Sequence, residues 1–254
     1  MKSKIEASET TRESASARPS TSGQAPRKAR GRPLSFDREA ALEKAMHVFW
    51  ERGYEAASVA DLTAAMGITP PSLYTAFGDK EHLFLEAIDA YGKGPGVFGA
   101  RALAEEPTAR RAIQRMLEEG AAELTDARHP RGCMMVTAAT NCSIAAEHVQ
   151  EALVKLRALG IERMQKRIQQ GIDDGELPAD TDARALANFY ATVYQGMSMQ
   201  AKDGASRKSI LASARMAMRS WPETPDRSEA QTASSPTDGP HDRRSAVRAR
   251  KQEE

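Results

Sequence analysis

Cysteine is nearly absent from this chain, with two residues, Cys133 and Cys142, among 254. Two thiols cannot build a disulfide framework, so the expectation is a cytoplasmic protein with free thiols. No uninterrupted apolar run reaches the roughly 18 residues of a membrane span, and no membrane role is expected. The opening MKSKIEASETTRES has no apolar stretch behind its charges, which argues against a secretory leader. The five histidines (His47, His82, His129, His148, His241) show no paired ligand spacing. CxxC, HExxH and Gly-rich phosphate loops are missing, so neither a metal site nor a cofactor is expected. Alternating apolar runs long enough for a sheet are missing too.

Net charge is also close to nothing, at +1, but it is unevenly spread. Residues 1–33 carry 8 Lys/Arg against 3 Asp/Glu, a basic arm of net +5. Residues 34–91 carry 4 against 10, net −6. Residues 92–221 carry 18 against 15, and 222–254 carry 6 against 7. The first and last of these segments hold too few large apolar residues to offset chain entropy and are expected to be disordered. Residues 34–221 are expected to fold.

Within that span the apolar spacing is helical throughout. Leu42, Ala45, Met46 and Phe49 form one face of a helix that Asp37 caps and Gly53 stops. A short helix runs from a Ser58 cap through Val59, Leu62 and Met66 to Gly67. Thr69-Pro70 opens another, Pro70–Phe77, with proline at the first helical position where its missing N–H costs nothing. Asp79 caps a fourth, striped by Leu83, Phe84, Ala87, Ile88 and Tyr91. After a Gly/Pro stretch at 92–99 come patterns near 107–126, 132–145, 147–173, 181–202 and 206–221. The expected fold is all-α: a helix-turn-helix unit at 34–91 and a helical bundle at 92–221.

The two short helices joined at Gly67 form a helix-turn-helix. Leu73 and Phe77 face inward, which leaves Pro71, Ser72, Tyr74 and Thr75 outward, small or amphipathic enough for close approach to a major groove about 12 Å wide. Hydroxyls at Ser58, Thr69, Ser72, Tyr74 and Thr75, with the charge of Lys80, are groups of the kind that contact phosphates. The competing reading is a plain capped helical hairpin.

The run GRPLSFDREAALEKAMHVFWERGYEAASVADLTAAMGITPPSLYTAFGDKEHLFLEAI, residues 31–88, resembles the DNA-binding domain of TetR/AcrR-type bacterial transcriptional regulators. The matching elements are Phe49…Gly53-Tyr54, Ser58-Val59-Ala60-Asp61-Leu62, Met66-Gly67-Ile68, Ser72-Leu73-Tyr74…Phe77 and Lys80-Glu81…Leu83. The resemblance implies a three-helix DNA-binding domain and a homodimer, usually a repressor, that holds a palindromic double-stranded operator until a small-molecule effector releases it. Pro71 departs from an ordinary recognition-helix start: without a backbone N–H it is left with apolar contact to a thymine methyl.

An acidic reading head cannot attract DNA broadly. The nearest cations are in the arm, so Arg30 and Arg32 are expected to supply phosphate or minor-groove contacts. In the bundle, Leu186, Phe189, Val193 and Met197 of the 181–202 pattern and Ile210, Ala214 and Ala217 of the last helix are expected to form a four-helix dimer interface. Eight methionines, adaptable fillers of irregular space, lie between 92 and 221. Met134, Asn141 and Tyr194 are the residues expected to line a ligand pocket.

Both cysteines fall in HPRGCMMVTAATNCS, read as one helix, with about 13 Å separating them along its axis. A helix N-terminus, Arg131 and His129 would favour the Cys133 thiolate, making it a candidate electrophile or oxidant switch. The alternative is a small buried hydrophobe. A Cys133/His129 enzyme lacks a third group, and a nucleoid-coating protein would bind all duplexes alike.

Overall fold

Ten α-helices and two single 3-10 turns make up the regular structure, with no strand among the described residues. The structure is a computed structural model and describes residues 36–140 and 142–223. Arg30, Arg32 and Asn141 lie outside them.

The first helix, α1 (Arg38–Ala56), begins where the Asp37 carboxylate accepts the N–H groups of Glu39 and Ala40. Gly53 stops the helical run as expected, and a short further turn carries α1 on to Ala56. The Gly53 φ of 81° lies in the left-handed region, which opens the helical ladder and turns the N–H of Tyr54 outward. α2 (Val59–Met66) starts with a reciprocal Ser58/Asp61 capping box and ends at left-handed Gly67. α3 (Pro70–Phe77) and α4 (Lys80–Lys93) follow, and Asp79 caps the latter by accepting the N–H of His82. Phe49, Leu62, Leu73, Leu83 and Phe84 are fully buried where these four helices meet. Each such side chain contributes about 1.5–3 kcal/mol of burial, and that packing holds the short pair rigid.

Past a 3-10 turn at Pro95–Val97 comes α5 (Phe98–Glu105), which apolar spacing alone merges into the Gly/Pro connection. Only Phe98 and Ala102 of α5 are buried, one turn apart, too short a signal to stand out beside the four glycines of 92–99. α6 (Ala109–Glu123), α8 (Glu147–Asp173), α9 (Ala183–Lys202) and α10 (Arg207–Met218) agree closely with the longer patterns. A single hydrophobic core runs from Ala41 to Trp221.

The 132–145 segment is not one helix. Only α7 (Met134–Thr137) is helical, followed by a 3-10 turn at Ile144–Ala146. The carbonyl of Ala138, at the end of α7, accepts the N–H of Tyr54 at 2.7 Å, so a tertiary bond fills the place where another helical turn would begin. Cys133 and Cys142 therefore do not share a helix.

Candidate nucleic-acid interface and buried cavity

The outward face of α3 comes from its spacing: Leu73 and Phe77 point into the core, while Pro71, Tyr74 and Thr75 are exposed. Tyr74 is 50 % exposed, a large aromatic side chain with no covering element. Ser72 is half-buried, and its hydroxyl meets that of Thr69 at 3.0 Å. The Thr75 hydroxyl donates back to the Pro71 carbonyl. Ser58 is exposed, but its hydroxyl is already engaged with Asp61. That bond, with the Ser58 N–H and Arg52 at 2.6 Å, lowers the Asp61 pKa to about 2. Lys80 sits 4.4 Å over the Tyr54 ring and donates to the Glu55 carbonyl at 3.4 Å. Partial burial there pushes its pKa down.

Arg38 is a positioning residue that sequence reasoning missed. Its guanidinium bonds the Ala76 carbonyl at the end of α3 and the Glu86 carboxylate of α4, and it lies 4.3 Å from the Phe77 ring. Three helices are thereby fixed around the reading surface. The sequence marks Arg38 only as a charge in a first turn.

A cavity of about 220 Å³ opens among α4, α5, α7, α8 and α9. Phe98, Leu103, Met116, Val136, Leu156 and Met164 contribute to its apolar wall, and Cys133 and Tyr194 reach it as well. Of the residues expected there, Tyr194 lines it, whereas Met134 does not. Met134 is completely buried in the core, and its neighbour Met135, about 100° further round the helix, lines the cavity instead.

The Cys133 sulfur accepts the Tyr91 hydroxyl at 3.3 Å, and the Cys133 N–H donates to Ser198. Burial, with the neighbouring sulfur, holds the Tyr91 and Tyr194 phenols well above their usual pKa. The flanking cations expected to activate the thiol are committed elsewhere. Arg131 donates to the Ala201 carbonyl in the last turn of α9 and to the Ala205 carbonyl just beyond that helix. The two ring nitrogens of His129 engage the Pro130 carbonyl and Glu123. His129 is thus bonded to groups other than the Cys133 sulfur. Glu123, Asp126 and His129 do bring donor atoms within 4.8 Å of one another, a grouping unseen in the sequence, but Arg128 chelates Asp126.

The expected interface residues divide between two sides. Met197, Ile210 and Ala214 are 0–2 % exposed and Ala217 is 8 %, so they pack α9 and α10 against the rest of their own chain. This corrects the expectation for those four: the inward faces of α9 and α10 are built largely of alanines around Tyr190, Met197 and Ile210, while larger apolar residues stay on the outside. Leu186 and Val193 are half-buried and Phe189 is exposed. Gly196 and Met199 of α9 and Ala212 and Met216 of α10 are exposed as well. Met199 and Met216 are 50 % and 61 % exposed.

The bacterial regulatory proteins, tetR family, match residues 41–87, and a tetracyclin repressor-like C-terminal domain matches residues 107–218. The chain is 36 % identical over 203 residues to the HTH-type transcriptional repressor ComR of Escherichia coli K12, covering 80 % of this chain and 97 % of that protein. It is 28 % identical to the repressor BdcR of the same organism, over 74 % of this chain and 90 % of that one. Among solved structures, a cysteine-substituted form of the TetR family transcriptional regulator CifR, complexed with 26bp double-strand operator DNA, is 47 % identical. That likeness has a TM-score of 0.73 and covers 76 % of this chain and all of CifR. Taken with the helix-turn-helix and the helical bundle behind it, these matches place the chain in the TetR family of bacterial transcriptional regulators.

Proposed function

We propose that the chain is a cytoplasmic, homodimeric repressor that reads a palindromic operator with α3 and releases it when a small molecule enters the cavity. The observation that carries this reading is the two-sided α3, with Leu73 and Phe77 buried and Pro71, Tyr74 and Thr75 presented to solvent. The operator complex of CifR and the repressor names of ComR and BdcR support it. Arg30, Arg32, Ser58, Thr69, Ser72 and Lys80 remain the proposed phosphate contacts around α3. The uncovered face of α9 and α10 suits a two-fold four-helix contact, with Leu186, Phe189 and Val193 at its edge. Such a dimer sets the two α3 helices one DNA turn apart, about 34–36 Å.

Release requires the effector to prefer one head arrangement over the other. The cavity wall is suited to this, because α7 lines the cavity and also grips α1 through Ala138. Footprinting on upstream DNA, with sedimentation of the complex, tests the proposal: two chains should protect one palindrome. Equal affinity for random duplex would overturn it.

A second reading, a thiol switch, has one specific observation in its favour: Cys133 is among the residues lining the cavity, and its sulfur accepts the Tyr91 hydroxyl. Alkylation of Cys133 should then release the operator, and a Cys133→Ser chain should be indifferent to the reagent.

A further inference from the structure

We propose that the effector is a small organic anion, an apolar body ending in a carboxylate, and that Arg157 reads its charge. This rests on the cavity being the effector site. Two guanidinium groups, Arg157 and Arg163, line the cavity, and no acidic side chain does so among the described residues. Neither arginine forms an ion pair with a described residue, although ten other arginine and lysine side chains do. The remaining wall is mostly apolar, with Tyr91, Tyr194, Gln195 and Cys133 as its polar groups. Arg163 is exposed, whereas half-buried Arg157 has a backbone carbonyl but no carboxylate to balance its charge, and a carboxylate is the group whose geometry matches its fork.

Arg157 is also held in place. It is half-buried, and its Nη1 donates to the Met135 carbonyl at 2.9 Å, tying α8 to α7 across the cavity rim. One turn further along α8, Gly160 lines the same cavity, and a Cβ built there would meet nothing within 4 Å. No packing constraint requires glycine at this helix-interior position, where it is less favourable than alanine. Its effect is to leave room beside Arg157.

The placement links recognition to output. A carboxylate drawing on Arg157 competes with the Met135 carbonyl and loosens the hold of α8 on α7. The end of α7, Ala138, is the acceptor for the Tyr54 N–H of α1. An anionic headgroup thus acts directly on the segment that fixes the reading head.

The test is titration calorimetry of the full chain with octanoate and with its neutral counterpart octanamide, alongside operator-release measurements. Octanoate is expected to bind at least about tenfold more tightly than octanamide and to release operator. Arg157→Gln should remove that preference and Arg157→Lys should keep part of it, and both should hold operator less tightly than the unaltered chain because each gives up the guanidinium bond to the Met135 carbonyl. The comparison of the two probes on the unaltered chain stands even if Arg157→Gln folds poorly. Equal binding of both probes overturns the anion assignment and leaves the cavity as the effector site. Failure of both to bind overturns the assignment and the cavity reading together.

Discussion

Trp50 donates its indole N–H to the Gly132 carbonyl at 3.0 Å, and its ring stacks on His129 with centroids 4.3 Å apart. The bond joins α1 to the residue immediately before Cys133, so the reading head and the cavity wall share a buried contact. Tyr91 packs edge-on against the same indole at 4.8 Å while its hydroxyl reaches the Cys133 sulfur. The cavity wall and α1 are therefore joined through very few atoms.

Replacing Trp50 with phenylalanine keeps a ring but leaves the Gly132 carbonyl without its donor. An unsatisfied buried acceptor costs about 1–3 kcal/mol. For a folded body of this size each kcal/mol lowers the melting midpoint by roughly 2–4 °C. Thermal melting should show that loss, and effector-driven release should weaken alongside it.

Tyr74→Ala removes an exposed ring from α3 and nothing from the core. Stability should change by less than about 0.5 kcal/mol, as for ordinary surface positions. Operator affinity should fall by about tenfold or more if the ring makes a base or phosphate contact, as measured by anisotropy on labelled duplex. Unchanged affinity would remove Tyr74 from the reading surface.

Deleting residues 1–33 removes Arg30 and Arg32 with the rest of the basic arm. For every phosphate that the arm neutralises, its removal should flatten the plot of log affinity against log salt by about 0.9. An unaltered slope would mean that the acidic head binds DNA without the arm.

Phe189→Glu places a charge on the uncovered face of α9, where the wild-type ring is 41 % exposed. The variant should stay folded, sediment as a monomer and lose most of its operator affinity, because half-sites are then held singly. Analytical ultracentrifugation distinguishes this from a dimer formed elsewhere.

The Asp79–His82 pair gives a pH signature. A bond to Asp79 raises the His82 pKa above its ordinary 6.5, and His82 in turn lowers that of Asp79. A raised histidine stabilises the fold fully below its unfolded pKa and loses that contribution as pH climbs through the folded value. His82→Gln should therefore melt earlier than wild type in mildly acidic buffer, and the two curves should converge in alkaline buffer. Both side chains are exposed, so the difference is small and screened by salt.

Much of the head was legible because its signals are local. Asp37, Ser58, Gly67, Pro70 and Asp79 punctuate the chain within one or two turns of the residues they serve, and apolar spacing then assigns Leu73 and Phe77 to the inside. The bundle was legible as helices but not as faces. In α9 and α10 both sides carry apolar residues, and periodicity alone does not say whether Met197 or Met199 meets the core.

What the sequence determined by itself is therefore the set of helices, their caps and the outward presentation of Tyr74 and Thr75, since these depend on neighbours a few residues away. Tertiary structure alone decided that α7 stops at Thr137, that Met135 rather than Met134 faces the cavity, and that Arg157 reaches the Met135 carbonyl. Those outcomes depend on partners 22 to 84 positions distant, as when the Tyr54 N–H takes the Ala138 carbonyl, and no local pattern encodes which distant group will arrive.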